Sequence, residues 1–318
     1  KDRRGLVLSA HMDTVPAGRG WTSEPFSLTD RGDRLFGRGT ADMKGFLALA
    51  VNAFARTDPD GLDAPLALLL TYDEELGLLG AKRFAETWPE TDPLPKNTVV
   101  GEPTSLQVVR MHKGHTQLRV TVHGVNAHSG YPHRGVNAIE PAGRVINALS
   151  GLRRELEKEP PVQKEYYPET PFVTLNLGTI TGGMAVNVVP DRCTVELGLR
   201  TLPGVESAPY VERVRKTVEE AIQESRFDFE LINDAPSMLL GEKAPIHQTL
   251  CEWTGQKETV GVSYGTDAGW FQTLGMESVV FGPGSIEVAH KPDEFIPKKE
   301  FQEGGRYIER LIERFCRA

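Results

Sequence analysis

Cysteine is scarce. Cys193, Cys251 and Cys316 lie far apart, with no C-x-x-C spacing. That excludes a disulfide framework and a thiolate zinc site, and points to reduced thiols in a cytosolic (cytoplasmic) enzyme. Long apolar runs are also missing, since none approaches the ~18 residues a membrane helix needs. The opening KDRRGLVLSA has a basic flank but too short an apolar stretch for a secretory signal, and reads as a lead-in to a buried strand. There is no excess of positive charge either. A net charge of −8 argues against nucleic acid as a partner, which calls for a basic face. No internal repeat or low-complexity segment interrupts the chain. At 318 residues it is long enough for two domains and a sizeable core.

The pattern of strands and helices divides it. Gly5 to Ala10 is a short apolar strand ending in the loop HMDTVPAG. A turn-rich polar stretch, 21–35, reads as a surface loop. GRGTADMKG leads into the helix-like FLALAVNAFA, a buried strand follows at 66–71, a helix at 78–88, a loop at 89–95, and a strand TVV ending at Glu102. The character changes near Lys113. TQLRVTVHG alternates with period two, and GVNAIEPAGRVINALSGLRRELEK is an amphipathic helix. Two strands, a helix at 208–225 and the strand FDFELIN complete a β-α-β-β-α-β order. That order is a ferredoxin-like unit. The α/β pattern then resumes, so residues 1–112 and 230–318 are expected to form one domain and 113–229 an inserted one. The fold class is α/β, a mixed sheet with an inserted α+β domain.

Sites in open α/β sheets form at the carboxyl ends of strands. Three such ends carry chemistry here. His11 and Asp13 follow LVLSA, Glu74 and Glu75 follow LALLL, and Asp42 opens a helix. With Glu102 and His290 they make a candidate ligand set: His11, Asp42, Glu75, Glu102 and His290. Imidazoles and carboxylates without thiolates suit zinc, cobalt or manganese. A two-metal site also needs a spare carboxylate as base, and Glu74 and Glu75 could divide those roles. Asp13 could orient the His11 imidazole. Taken singly, each has a plainer reading: an acid at a strand end is usually solvated, and Asp42 could simply cap its helix. A competing motif, Gly261-Val-Ser263-Tyr-Gly265, matches the GxSxG nucleophile elbow, with Asp267 and His290 following in triad order. It would leave the acids of the first hundred residues without a task.

SAHMDTVP, GRGTADMKG, TYDEELGLLGA, VVGEPTS and FGPGSIEVAHKPDEFI, in that order, resemble the dizinc peptidases and deacylases. That family includes acetylornithine deacetylase, succinyl-diaminopimelate desuccinylase, aminoacylase and glutamate carboxypeptidase. The resemblance implies a mixed-sheet catalytic domain and a lid domain that forms a homodimer interface. It implies two divalent metals, zinc or cobalt. His11 and Glu102 would hold one, Glu75 and His290 the other, and Asp42 would bridge. Glu74 would be the general base, Asp13 would hold His11, and the peptide after Asp42 would be cis. In the lid, His128 would reach the neighbouring protomer's substrate as an oxyanion stabiliser, with Tyr131 nearby. Asn187 and Arg200 would bind substrate, and Gly265 and Thr266 would line its loop. The expected reaction is removal of the acyl group from a small-molecule N-acyl amino acid, N-acetylornithine first. The resemblance also implies a helix and a strand before the first motif, where only residues 1–5 stand. A longer parent chain or a sheet lacking one edge element is the expectation.

Overall fold

The computed structural model describes residues 3–317 apart from positions 90, 92, 224 and 259. The expected loop at 89–95 and helix at 208–225 thus fall partly outside the described residues. In chain order the main elements are β1 (Leu6–His11), α1 (Lys44–Arg56), β2 (Leu66–Thr71), α2 (Leu79–Thr87), β3 (Asn97–Val100) and β4 (Val109–His112). Then come β5 (His115–His123), α3 (Ile139–Leu156), β6 (Thr174–Gly182), β7 (Arg192–Arg200), α4 (Ala208–Ile222) and β8 (Phe227–Ala235). The chain closes with β9 (Met238–Leu239), α5 (Pro245–Thr254), β10 (Val260–Val262), α6 (Ala268–Thr273), β11 (Glu277–Val280) and α7 (Lys298–Cys316).

Two compact units result. The first holds residues 1–112, 238–262 and 266–318. Its sheet runs β9-β4-β11-β3-β1-β2, with β10 also on β4. Pairing is parallel across β2-β1-β3-β11 and antiparallel at β9-β4 and β4-β11, so the sheet is mixed. Every residue of β1 is buried, as expected for a strand in the middle of a parallel sheet covered on both faces. On one side α1, α5 and α7 pack their apolar stripes; in α7 these are Ile308, Leu311, Ile312 and Cys316. On the other, Ala81 of α2 and Phe271 of α6 join Val7, Val100 and Val280.

The second unit holds residues 113–237 with 263–265. Its antiparallel sheet has the order β8-β5-β7-β6, and α3 and α4 share its apolar face with Leu118, Val120, Val195 and Leu197. The expected domain boundary between 229 and 230 is corrected: it falls inside β8. That strand stays paired with β5 as far as Ala235 opposite His115, so the backbone ladder holds these residues in the second unit. The stretch 21–35 is corrected too. Thr29–Arg31 and Arg34–Phe36 form a hairpin over Gly32, whose φ of +72° suits the turn. Phe295–Pro297 adds a third strand to it. Cys193, Cys251 and Cys316 are free thiols. Among the described residues, no helix is long and apolar enough to cross a membrane.

Candidate metal centre

β1 and β2 run parallel in a register that sets His11 opposite Thr71. Both strands therefore deliver their following loops at the same sheet edge. Asp13 ties those loops together. Its carboxylate accepts the backbone N–H of Glu74 at 3.2 Å and of Glu75 at 3.1 Å, while His11 Nδ1 lies 3.1 Å from the Asp13 carbonyl oxygen and 3.5 Å from its carboxylate. With Nδ1–H donating to Asp13, Nε2 is the nitrogen left to hold a cation once its own proton is lost. That Nε2 faces Asp42 Oδ1 at 3.0 Å. The peptide between Asp42 and Met43 is cis.

The other oxygen of Asp42, Oδ2, lies 3.1 Å from His290 Nε2, which is also 3.0 Å from Glu75 Oε2. His11, Asp42 and Glu102 each offer a ligand atom within 4.8 Å of the others, and Asp42, Glu75 and His290 form a second such group. Asp42 is common to both. The structure thus gathers the five candidate ligands, with Asp13, in the first unit.

Charge is the dominant problem of this cluster. Burial and then the Asp42 carboxylate push Glu102 well above the usual carboxylate range. Burial, then Glu102 and Asp267, does the same to Glu74. Asp267, absent from the candidate set, is raised by burial to about 6 although Thr71 Oγ1 donates to it at 2.5 Å. The histidines answer in the opposite sense. Burial opposes the His11 imidazolium, but Asp13, Asp42, Glu102 and Glu74 outweigh it and lift the pKa to about 12. Hydrogen bonds to Asp42 and Glu75 lift His290 to about 10. For Asp13 and Asp42, hydrogen bonds from His11 and its neighbours overcome burial, holding Asp13 at about 2 and Asp42 well below the usual range. The cluster calls for positive charge.

The donor set fits divalent cations. It offers two imidazoles and three carboxylates without sulfur, and Glu102 Oε1 is buried with no hydrogen-bond partner among the described residues, a costly state for an anion unless a cation faces it. The serine alternative loses its relay. Asp267 accepts from Thr71 and His290 lies on Asp42 and Glu75, so the acid and the histidine of that triad are engaged elsewhere.

The remaining candidates divide between the units. Thr266 is in the first, fully buried, its Oγ1 accepting the Ala268 N–H at 3.2 Å at the start of α6. Gly265 belongs with the second. In the second unit His128 pairs with Val188 across a two-residue ladder, and Ser129 N–H donates to the Asn187 carbonyl at 2.9 Å. The Tyr131 and His128 rings are 6.0 Å apart. These three residues form one cluster. His128 Nδ1 accepts the Gly130 N–H at 3.0 Å, which places the proton of the neutral ring on Nε2. Arg200 ends β7 beside two basic groups. Burial and the Arg200 charge lower Lys113 to about 8 and His115 to about 4.

One further acid lies within FGPGSIEVAHKPDEFI but not among the expected site residues. Glu294 is fully buried beneath the Asp42 loop, where it accepts the Asp42 N–H at 3.1 Å. It stands four residues after His290 in a polar stretch, and nothing in its type or spacing sets it apart.

Known proteins share this arrangement of chain. Acetylornithine deacetylases of Pectobacterium carotovorum subsp. carotovorum (strain PC1) and Pectobacterium atrosepticum (strain SCRI 1043) are each 38% identical over 318 residues, 98% of this chain and 80% of theirs. Among solved structures, an M20 family metallo-carboxypeptidase from Sulfolobus solfataricus aligns with a TM-score of 0.74 at 17% identity, over 98% of this chain and 85% of its own. A tripeptidase from Staphylococcus aureus aligns at 0.73 and 20%, over 98% and 81%. Residues 7–314 match the profile of peptidase family M20/M25/M40; the chain belongs to that family and is a metal-dependent amidohydrolase.

Proposed function

We propose that this chain removes the acyl group from the α-amine of an amino acid, with N-acetylornithine as substrate and acetate and ornithine as products. The observation that carries the reading is the position of Asp42, one oxygen toward His11 and the other toward His290, as a carboxylate bridging two cations would stand. The identity to curated acetylornithine deacetylases supports the substrate.

His11 and Glu102 would hold one ion, Glu75 and His290 the other, with Asp42 shared. Bound there, two zinc or cobalt ions would polarise the amide carbonyl and make a water acidic enough to attack near neutral pH. Glu74 takes the proton of the attacking water and returns it to the leaving amine; burial and neighbouring acids, by raising its pKa, suit it to both tasks. Arg200 binds the substrate carboxylate with its planar fork, beside Lys113 and His115, whose pKa values burial and the Arg200 charge hold down. Asn187, Tyr131, Gly265 and Thr266 would contact the rest of the substrate. His128, its proton on Nε2, donates to the carbonyl oxygen as charge builds there. In a homodimer formed through the second unit, it serves the neighbouring protomer. The setting is the reducing cytoplasm, where the three cysteines stay thiols.

The test is amine release from N-acetylornithine before chelation, after it, and after zinc or cobalt is restored. Loss followed by recovery supports the reading. Turnover indifferent to chelator would overturn it, and turnover of N-succinyl substrates alone would keep the metallohydrolase but replace the acyl group.

A further inference from the structure

Glu294 has no part in the chemistry above, yet four donors converge on its carboxylate. Oε1 accepts the backbone N–H of Ala41 at 2.9 Å and of Asp42 at 3.1 Å. Oε2 accepts the Gly39 N–H at 3.1 Å and the Arg38 guanidinium. The Glu294 carbonyl takes the Gly37 N–H at 3.0 Å. Arg38 is anchored in turn: it donates to the Ala17 carbonyl at 3.2 Å and stacks 5.2 Å from the Trp21 ring centroid. Directly after Glu294, the strand Phe295–Pro297 pairs with Arg34–Phe36. The segment 37–42 is therefore wrapped around one buried carboxylate that is covalently continuous with the His290 turn.

A buried ion pair alone would not argue for function, because an apolar pair of the same volume can replace it at no loss of stability. What an apolar pair cannot do is accept the N–H groups of Ala41 and Asp42. Those two bonds set the position of the Asp42 backbone relative to the residues that carry His290. The Asp42 side chain must present one oxygen to each histidine, so an error in that backbone is an error at both groups.

We propose that Glu294 is a positioning residue for the metal centre, locking the Asp42 loop to the His290 turn so that the shared carboxylate meets both ligand groups. This rests on the two-metal reading above. Glu294→Gln tests it, because whichever way the amide turns, its NH2 meets two donors. Partners that orient metal ligands are worth about 10–100-fold in metal affinity, so zinc titration by calorimetry should show one or both ions weakened by that factor. At saturating zinc, kcat should fall while KM for the acyl amino acid changes little.

If Glu294→Gln leaves Arg38 buried and uncompensated and does not fold, the doubly neutral Arg38→Met/Glu294→Gln protein takes the same titration. Leu311→Ala, in the core of α7, is the control. It should lower Tm and leave zinc affinity unchanged. If the Glu294 variants bind zinc as the wild type does, Glu294 is structural only and the inference is overturned while the metal centre stands. If the wild type itself takes up no zinc, the reading beneath it fails, and the inference fails with it.

Discussion

Replacing Glu102 by glutamine should change stability in opposite directions depending on metal. Glu102 is 4% exposed, and its Oε1 has no hydrogen-bond partner among the described residues. A buried polar atom left unpaired costs about 1–3 kcal/mol, and more when it is charged. The raised pKa has the same meaning. A carboxyl that ionises less readily folded than unfolded contributes stability that is complete below the unfolded pKa, and loses it as pH rises. In chelated protein at pH 8 the glutamine variant escapes that penalty, and its amide can donate to the Asp42 carboxylate. Its Tm should rise by about 2–12 °C, taking about 2–4 °C per kcal/mol for a unit of this size. Zinc reverses the order. An ion at a hundred times its dissociation constant adds about 2.7 kcal/mol, and the variant forfeits that at one of two sites. Thermal melts in chelator and in excess zinc, with metal content measured on the same samples, check both signs. A glutamine variant that melts lower than wild type in chelator would refute the reasoning. So would one that gains as much from zinc as the wild type.

Glu74→Gln should keep both ions and lose about 10²–10⁴-fold in kcat; a rate within tenfold of wild type would remove Glu74 as the base. Metal uptake should release protons, since His11 and His290 ionise at about 12 and about 10 without it. Calorimetry at pH 7 in buffers of different ionisation enthalpy should count them, and apparent affinity should climb as pH rises toward 9. Over the same window the metal-free protein should lose stability: the histidine contribution is complete below the unfolded value near 6.5 and disappears as pH passes the folded ones. Arg200→Ala should raise KM about 10–100-fold with kcat little changed, the loss of a charged hydrogen bond worth about 1.5–3 kcal/mol. Gly101→Ala should destabilise by about 1–3 kcal/mol, because the new Cβ would stand 1.9 Å from the Phe46 ring. Equilibrium denaturation reads it.

What could be read from the sequence was whatever leaves a long enough trace. LVLSA and LALLL are short, largely apolar runs, interrupted only by Ser9, and each leads into residues that face the cluster, so β1, β2 and the acids after them follow from pattern. The alternation in TQLRVTVHG likewise marks β5. β4 left no such trace. Its four residues, VRMH, include a buried arginine that bonds the Leu240 carbonyl at 2.8 Å and a buried histidine, and partners that distant are invisible locally. The strands Thr29–Arg31 and Arg34–Phe36 are too short to show a period. Glu294 looks like any acid in a polar loop until the chain closes over it. The extent of β8 depended on its pairing with β5, which only the folded sheet supplies.

The stretch 113–237 leaves the first unit at His112 and returns at Met238, and those two residues are paired neighbours on adjacent antiparallel strands. Topologically it is the loop of a hairpin, grown to the size of a domain. Closing a longer loop costs only about 0.6 kcal/mol per doubling of length, so the first unit is nearly indifferent to what the hairpin carries. The strands that lead to the ligands, β1 and β2, pair with each other and not with the two strands that flank the insertion. A lineage can therefore exchange, enlarge or trim the inserted cassette while the cation-binding frame is inherited unchanged, and a protein engineer can graft at the same joint.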